Sequence, residues 1–214
     1  MLRLYYAPGT ISLAPHIILN ELNLCFEPVR VEVADNRLKN YKTSDFIKIN
    51  PTGLVPVLAI DGATLTESLA IALHLVGREK NNTLLPKSGT WDEAKAMEWL
   101  AWLATSAHRT IGAYFRPEHL ADDEQTQQRL RKYALKHMKE QALYIERRIA
   151  HDGKYATGSN FTLVDAFLLV YYRWFQVIGL PVEEQPNWRR VTESCLARQS
   201  VQKTLLTESI AVSV

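Results

Sequence analysis

Two short segments of the sequence combine groups that would bind a small peptide. In Leu54-Val55-Pro56-Val57-Leu58 a proline interrupts a strand-like apolar run, and proline lacks the N–H that a central strand must donate. Pro56 therefore predicts the start or edge of a strand and a cis Val55–Pro56 bond, with the N–H and C=O of Val55 free. The second segment, Thr66-Glu67-Ser68, adds a hydroxyl and a carboxylate at the start of a predicted helix. An ordinary loop leading into an edge strand explains the first pattern as well.

Composition favours a folded protein and gives no sign of a nucleic-acid partner. The 214 residues are 47% hydrophobic, and 25 basic against 23 acidic residues leave a net charge of +2. No basic excess is available to bind a phosphate backbone. Cys25 and Cys195 match neither a disulfide framework nor a metal site, which predicts a reduced protein without a metal. No signal peptide and no long apolar run is found, so we expect a cytoplasmic protein without membrane association.

Hydrophobic periodicity divides the chain into a mixed-sheet domain and an all-helical domain. Residues 1–78 follow the order β-α-β-α-β-β-α, with Asp61-Gly62 as a hairpin turn. Residues 79–90 are rich in turn-forming types and predict a linker. Residues 91–214 predict long helices, one of them opened by a capping box at Thr162 and Asp165. The predicted fold class is thus α/β followed by all-α.

This order of elements, together with the motifs above, resembles the cytosolic glutathione transferases over the whole chain. In that family a thioredoxin-like domain with a four-stranded mixed sheet precedes an all-helical domain. The segments at 4–9, 12–17, 98–100 and 104–108, with Phe115-Arg116-Pro117, resemble the bacterial beta class most closely. One position departs from that class, because Ile11 stands where its members usually carry a cysteine. A mixed disulfide with glutathione at this position is therefore excluded.

The resemblance implies glutathione as a co-substrate and assigns residues to it. The main chain of Val55, flanked by Leu54 and Pro56, would pair with the cysteinyl unit. Ser68, in the first turn of a helix, would bind the γ-glutamyl carboxylate, and Glu67 would pair with the ammonium group. The family also implies a bacterial homodimer that acts in detoxification.

Three hydroxyl groups near the first helix are candidates for stabilising the glutathione thiolate. Ser12 ranks first because it would lie at the helix N-terminus, where the dipole favours negative charge. Thr10 ranks second and Tyr6 third. A plain N-cap explains Ser12 equally well, and a core position is the stronger expectation for Tyr6.

The helical domain supplies candidates for the second substrate. By resemblance, His108 would steer an electrophile or hydrogen-bond the sulfur, although a structural role between the domains explains it equally well. Trp102 and Tyr114 lie at helical spacing and are more often core than pocket residues. The residues predicted to form an apolar electrophile pocket are Ile11, Thr105, Ser106, Phe115 and Trp174.

Two functions follow from these residues. The first is a transferase that conjugates the glutathione thiolate to small apolar electrophiles. The alternative is a non-catalytic binding or regulatory protein of the same fold, which the missing cysteine favours. The candidate glutathione-binding residues Val55, Glu67 and Ser68 argue against that alternative. A thiol-disulfide reductase is disfavoured because no cysteine precedes the first helix.

Overall fold

Four short strands form one mixed sheet in the N-terminal part of the chain. The computed structural model describes residues 1–32, 44–79 and 83–214. The strands β1 (Leu2–Tyr6), β2 (Glu27–Arg30), β3 (Val57–Ile60) and β4 (Ala63–Leu65) lie in the order β2-β1-β3-β4. The predicted second strand was to end at Val33, which lies outside the described residues, as do residues 80–82 of the predicted linker.

The strand register brings three chain segments to one edge of the sheet. β1 and β3 are antiparallel and pair Tyr5 with Val57, so the end of β1 lies beside the start of β3. β3 and β4 are antiparallel and pair Leu58 with Leu65, so the end of β4 emerges at the same edge. The turn between them has positive φ at Asp61 and Gly62, as the predicted hairpin requires. Residues that follow β1 and β4 and those that precede β3 therefore meet at this edge.

Three helices accompany the sheet: α1 (Leu13–Glu21), α2 (Ser44–Ile49) and α3 (Ser68–Arg78). Every residue of α1 from Leu13 to Asn20 is buried, because this helix is covered by the sheet domain and also contacts the helical part. Pro15 falls in its first turn, where a missing N–H costs no helical hydrogen bond.

The rest of the described chain is mostly helical. The helices are α4 (Trp91–Trp102), α5 (His108–Phe115), α6 (Glu124–Arg148), α7 (Leu163–Ile178), α8 (Pro186–Leu196) and α9 (Gln199–Glu208). A five-residue π-helical turn, Leu103–Ala107, joins α4 to α5. The single helix predicted from 91 to 115 is therefore present, with one wider turn inside it. The apolar helix α7 forms the centre of the core, as its sequence predicts.

The start of α7 is fixed by a buried carboxylate. Asp165 accepts hydrogen bonds from the Thr162 N–H (2.7 Å), the Thr162 hydroxyl (2.9 Å) and the Ala156 N–H (2.7 Å). The predicted capping-box contact from Asp165 back to Thr162 is thus confirmed. Because Ala156 belongs to the preceding loop, the same carboxylate also anchors that loop to the helix.

The predicted fold class is confirmed: a four-stranded mixed sheet with its helices precedes a helical region. Within the described residues, no helix is both long and apolar enough to cross a bilayer. Searched over the same residues, no group of three or more His, Cys, Asp or Glu side chains is arranged to hold a metal ion.

Candidate functional site

A cavity of about 480 Å³ lies between the common sheet edge and helices α5 and α7. Its sheet side is formed by residues 8–11 after β1 and by Leu54 and Val55 before β3. Its helical side is formed by residues from both helices and the turn after α5: His108, Ile111, Gly112, Phe115, Arg116, Arg173, Trp174 and Val177. The cavity therefore joins the segments that carry most of the candidate residues.

Val55 presents free main-chain groups to this cavity. The Val55–Pro56 bond is cis, as the sequence predicts. In the described part of the chain, the N–H and C=O of Val55 make no hydrogen bond. The neighbouring Leu54 carbonyl is occupied, because it accepts from the Asn50 amide at 2.8 Å. Asn50 is buried and also accepts from the Thr52 hydroxyl at 3.0 Å, so it organises the turn that presents Val55.

Glu67 and Ser68 lie at the N-terminus of α3, beside the same sheet edge. Glu67 has a positive φ of 66° and an exposed side chain, and Ser68 is half-buried. Neither side chain hydrogen-bonds another described residue, and neither lines the cavity itself. Both are therefore available to a ligand that extends from Val55 toward α3.

The loop after β1 contains two hydroxyl groups in contact with each other. Thr10 Oγ1 lies 2.8 Å from the Ala7 carbonyl oxygen and 2.8 Å from Ser12 Oγ. Ser12 Oγ accepts from the Ala7 N–H at 3.2 Å and donates to the Ala7 carbonyl at 3.1 Å. The Thr10 hydroxyl donates to the Ala7 carbonyl, and Ser12 donates to the same oxygen. The Thr10 proton can therefore turn to another acceptor without leaving that carbonyl unpaired. Thr10 lines the cavity.

The structure places the three candidate hydroxyls in different surroundings. Ser12, ranked first, is fully buried and does not line the cavity, and its side chain caps no N–H of α1. Tyr6 is buried in the core with its ring 5.1 Å from the His16 ring, as the core alternative predicted. Burial, with a further contribution from the Glu208 charge, raises the pKa of the Tyr6 phenol, so this group stays protonated. Thr10 is thus the one of the three that faces the cavity.

His108 lines the cavity and packs edge-on against Trp174, with 5.5 Å between the ring centres. Burial lowers the pKa of His108, and the positive charge of Arg116 lowers it further. The imidazole is therefore neutral at neutral pH and has one N–H to donate and one nitrogen to accept. Trp174 is held in place because its indole N–H donates to the Gly9 carbonyl at 2.8 Å.

Three of the five residues predicted for the electrophile pocket lie together in the structure. Ile11, Phe115 and Trp174 line the cavity. Thr105 and Ser106 do not; they are exposed on the π-helical turn, and the Thr105 hydroxyl donates to the Ala101 carbonyl at 2.8 Å. The structure therefore does not bring these two residues together with the other three.

Two arginines in the cavity wall were missed by the sequence reasoning. Arg116 directly follows α5, and Arg173 precedes Trp174 on α7. No acidic residue is among the described residues that line the cavity. In the sequence, Arg116 is part of the family motif Phe115-Arg116-Pro117, which does not indicate a place in the cavity wall. For Arg173 the only indication is its position beside Trp174.

A carboxylate from the last helix supports the loop from behind. Glu208, at the end of α9, accepts from the Gly9 N–H at 2.8 Å, and its other oxygen lies 2.8 Å from His16 Nδ1. Both side chains of this pair are buried. The loop that carries Thr10 is thus held at Gly9 from two sides: Glu208 binds the Gly9 N–H, and Trp174 binds the Gly9 carbonyl.

Comparisons with known proteins agree with this architecture. Residues 1–77 match the family described as glutathione S-transferase, N-terminal domain, and residues 100–199 match glutathione S-transferase, C-terminal domain. The chain is 30% identical to glutathione S-transferase GstA of Escherichia coli O157:H7 over 210 residues, which cover 98% of this chain and 100% of that protein.

Solved structures give the same result. A glutathione transferase homologue from Sulfitobacter with bound glutathione superposes with a TM-score of 0.89 at 27% identity, covering 99% of each chain. A bacterial beta class enzyme from Sphingomonas chungbukensis superposes with a TM-score of 0.78 at 28% identity, covering 98% of this chain and 100% of the other. On the two family matches, which together span most of the sequence, this chain belongs to the glutathione S-transferase family.

Proposed function

We propose that this protein binds glutathione and transfers its thiolate to small electrophiles with an apolar body. The observation that carries the proposal is the meeting of three groups at one sheet edge beside a cavity: the free main chain of Val55, the helix start at Glu67 and Ser68, and the Thr10 hydroxyl. A peptide ligand needs main-chain partners, and an electrophile needs the adjacent cavity. The Sulfitobacter homologue with bound glutathione supports the choice of peptide.

Glutathione would be held by main-chain and end-group contacts. The N–H and C=O of Val55 would pair with the cysteinyl unit, as an added strand pairs with a sheet edge. The γ-glutamyl carboxylate would accept from the Ser68 hydroxyl and the first N–H groups of α3, where the helix dipole favours an anion. Glu67 would pair with the ammonium group of the same unit. These contacts fix the thiol near the loop after β1.

Thr10 is our candidate for stabilising the thiolate. A free thiol has a pKa of about 8.5, and a depression of one unit corresponds to about 1.4 kcal/mol of preference for the thiolate. A hydrogen bond to a charged acceptor contributes roughly 1.5 to 3 kcal/mol. One hydroxyl therefore suffices to populate the thiolate near neutral pH, with Ser12 positioning Thr10 through its own bonds to Ala7.

The helical wall would bind the second substrate. Ile11, Phe115 and Trp174 offer apolar surface, and the neutral His108 can donate a hydrogen bond to the sulfur or to a polar group of the electrophile. Holding both reactants in one cavity is the main source of rate enhancement in this scheme.

Calorimetric titration with glutathione, followed by a conjugation assay with a generic aromatic halide, tests the proposal. We expect binding by the wild type and a roughly 10-fold weaker affinity for Ser68→Ala, because one charge-assisted hydrogen bond is lost. An exposed serine at the other end of the chain, Ser213, gives the matched control: Ser213→Ala should bind as the wild type does. Absence of glutathione binding would refute the proposal. Binding without turnover would instead identify a non-catalytic glutathione-binding protein.

From the family resemblance we also propose a cytoplasmic homodimer that acts in detoxification. The sheet domain of one subunit would face the helical domain of the other. Light scattering coupled to gel filtration should give about twice the mass of one chain, and a monomeric mass would contradict this part of the proposal.

A further inference from the structure

The guanidinium of Arg173 is placed in the cavity wall with most of its hydrogen-bonding capacity unused. Its Nη1 donates to the Gly9 carbonyl at 3.3 Å, and its buried Nε has no partner. It forms no ion pair with any described residue. A guanidinium carries five N–H donors, so most of them have no partner within the described part of the chain.

Gly9 allows the guanidinium to lie this close to the loop. A Cβ added to Gly9 would come within 2.5 Å of Arg173 Nη1 and 2.8 Å of its Cζ. Arg173 therefore packs flat against the main chain of the loop, next to Thr10. Its position is set by packing and by Gly9, not by a charged partner.

The charges around Arg173 leave the cavity positive. The charge of Glu208 acts on Arg173, but the oxygens of Glu208 already bind the Gly9 N–H and His16. Arg116 lines the same cavity, and no acidic side chain does so among the described residues. Arginine stays protonated even where burial lowers its pKa, as it does here. A planar anion is the chemical group that such a fork binds best.

Resting on the proposed function, we propose that the electrophile site selects substrates that carry a carboxylate beside an apolar body, with Arg173 as the carboxylate-binding residue. The apolar body would pack on Ile111, Phe115 and Trp174, which line the helical side of the same cavity. Arg116 adds positive charge at the cavity wall. This narrows the expected substrates from apolar electrophiles in general to apolar acids.

A pair of matched electrophiles tests the selectivity. A chloronitrobenzoate and its methyl ester differ in charge but undergo the same displacement of chloride by the glutathione sulfur. Each kcat/KM is divided by the uncatalysed rate constant with glutathione, which removes the difference in intrinsic reactivity. We expect the wild type to favour the acid by roughly 10-fold or more, the contribution of a bidentate charge-assisted contact.

Variants then assign the effect to Arg173. Arg173→Gln should abolish the preference for the acid, so that the ratio of the two corrected kcat/KM values falls to about one, since the charged contact is lost. Arg173→Lys should keep part of the preference because it retains charge without the fork. The matched control is Arg129→Gln, an exposed arginine on α6, which should behave as the wild type.

Other outcomes would overturn the inference. Equal losses for acid and ester in Arg173→Gln would assign the residue to the thiolate, and weaker glutathione binding by calorimetry would assign it to the glycyl carboxylate of glutathione. If the variant fails to fold, the wild type alone decides: S-(carboxybenzyl)glutathione should bind more tightly than S-benzylglutathione, and equal affinities would refute the inference. If glutathione itself does not bind, the proposed function fails first.

Discussion

The imidazole of His16 and the carboxylate of Glu208 form a buried pair, with 2.8 Å between Nδ1 and Oε1, that connects the first helix to the last. The second oxygen of Glu208 accepts from the N–H of Gly9. The residues are 192 positions apart in sequence. The loop that presents Thr10 thus depends on the C-terminal helix for its position.

We expect Glu208→Ala to lower the free energy of unfolding by about 3 kcal/mol, because it leaves the His16 ring and the Gly9 N–H buried without a partner. Glu208→Gln should cost less, since its amide oxygen can still accept one of the two bonds. Urea denaturation measures both. Glu184→Ala, on an exposed glutamate, is the control and should change stability by no more than about 0.5 kcal/mol. Equal effects for Glu208 and Glu184 would contradict the structural role of the pair.

Asp165→Ala should lower the free energy of unfolding by about 2–4 kcal/mol. The substitution removes the acceptor of two buried N–H groups, those of Ala156 and Thr162, and each unpaired group costs about 1–3 kcal/mol. Thr162→Ala should cost less, because the Asp165 carboxylate keeps both N–H donors. The order of the two midpoints in urea checks the prediction, and a reversed order would show that the hydroxyl is the main anchor.

Thr10→Ala should raise the pH at which kcat/KM reaches half its maximum by about one unit, because the thiolate loses a hydrogen bond. Thr10→Ser should restore the wild-type profile. Ser12→Ala should lower stability by about 1–3 kcal/mol, since the Ala7 N–H loses its acceptor, and should shift the pH profile less than Thr10→Ala does, because Ser12 acts on the thiolate only through Thr10. A shifted profile for Ser12→Ala with none for Thr10→Ala would identify Ser12 as the thiolate donor.

Arg116→Gln should raise the pKa of His108, because the Arg116 charge is one of the two causes that lower it. The pKa should remain below its ordinary value of about 6.5, since burial is the larger cause. An NMR titration of the imidazole C–H signals, with His108→Gln to assign them, measures this shift. Arg129→Gln provides the control.

The same depressed pKa gives His108 a defined effect on stability. Between about pH 6.5 and the lower pKa of the folded state, His108 is protonated in the unfolded chain but neutral in the folded chain. The His108 contribution is therefore complete above about pH 6.5 and is lost as the pH falls through that window. Arg116→Gln should narrow the window. A loss of stability at acid pH identical in wild type and variant would count against the coupling of the two residues.

The sequence was sufficient for features set by local chemistry. Pro56 predicts both the strand start and the cis bond, Asp61-Gly62 predicts the hairpin, and Thr162 with Asp165 predicts the helix start. Each depends on residues within a few positions of one another, so spacing alone identifies them.

Features set by distant contacts could not be predicted in this way. The order of Thr10 and Ser12 depends on how the loop folds back on Ala7, which buries Ser12 and leaves Thr10 at the cavity. Glu208, which supports the loop, lies 199 positions from Gly9 in the sequence. Arg173, which packs on the same loop, lies 164 positions from Gly9. Hydrophobic periodicity shows which face of a helix is buried, but it does not show which distant segment of the chain packs against that face.

The π-helical turn at Leu103–Ala107 sets the direction in which the side chains of α5 point around the helix axis. One extra residue in a helical turn rotates all later side chains by about 100° around the axis relative to a regular helix. His108, Ile111 and Phe115 share one face of α5 by their spacing, and the wider turn sets the angle at which this face follows α4, so that it lines the cavity. Thr105 and Ser106, within the turn, are exposed. Chain length between Trp91 and Phe115, and not only residue type, therefore determines which chemistry this helix offers to a bound electrophile.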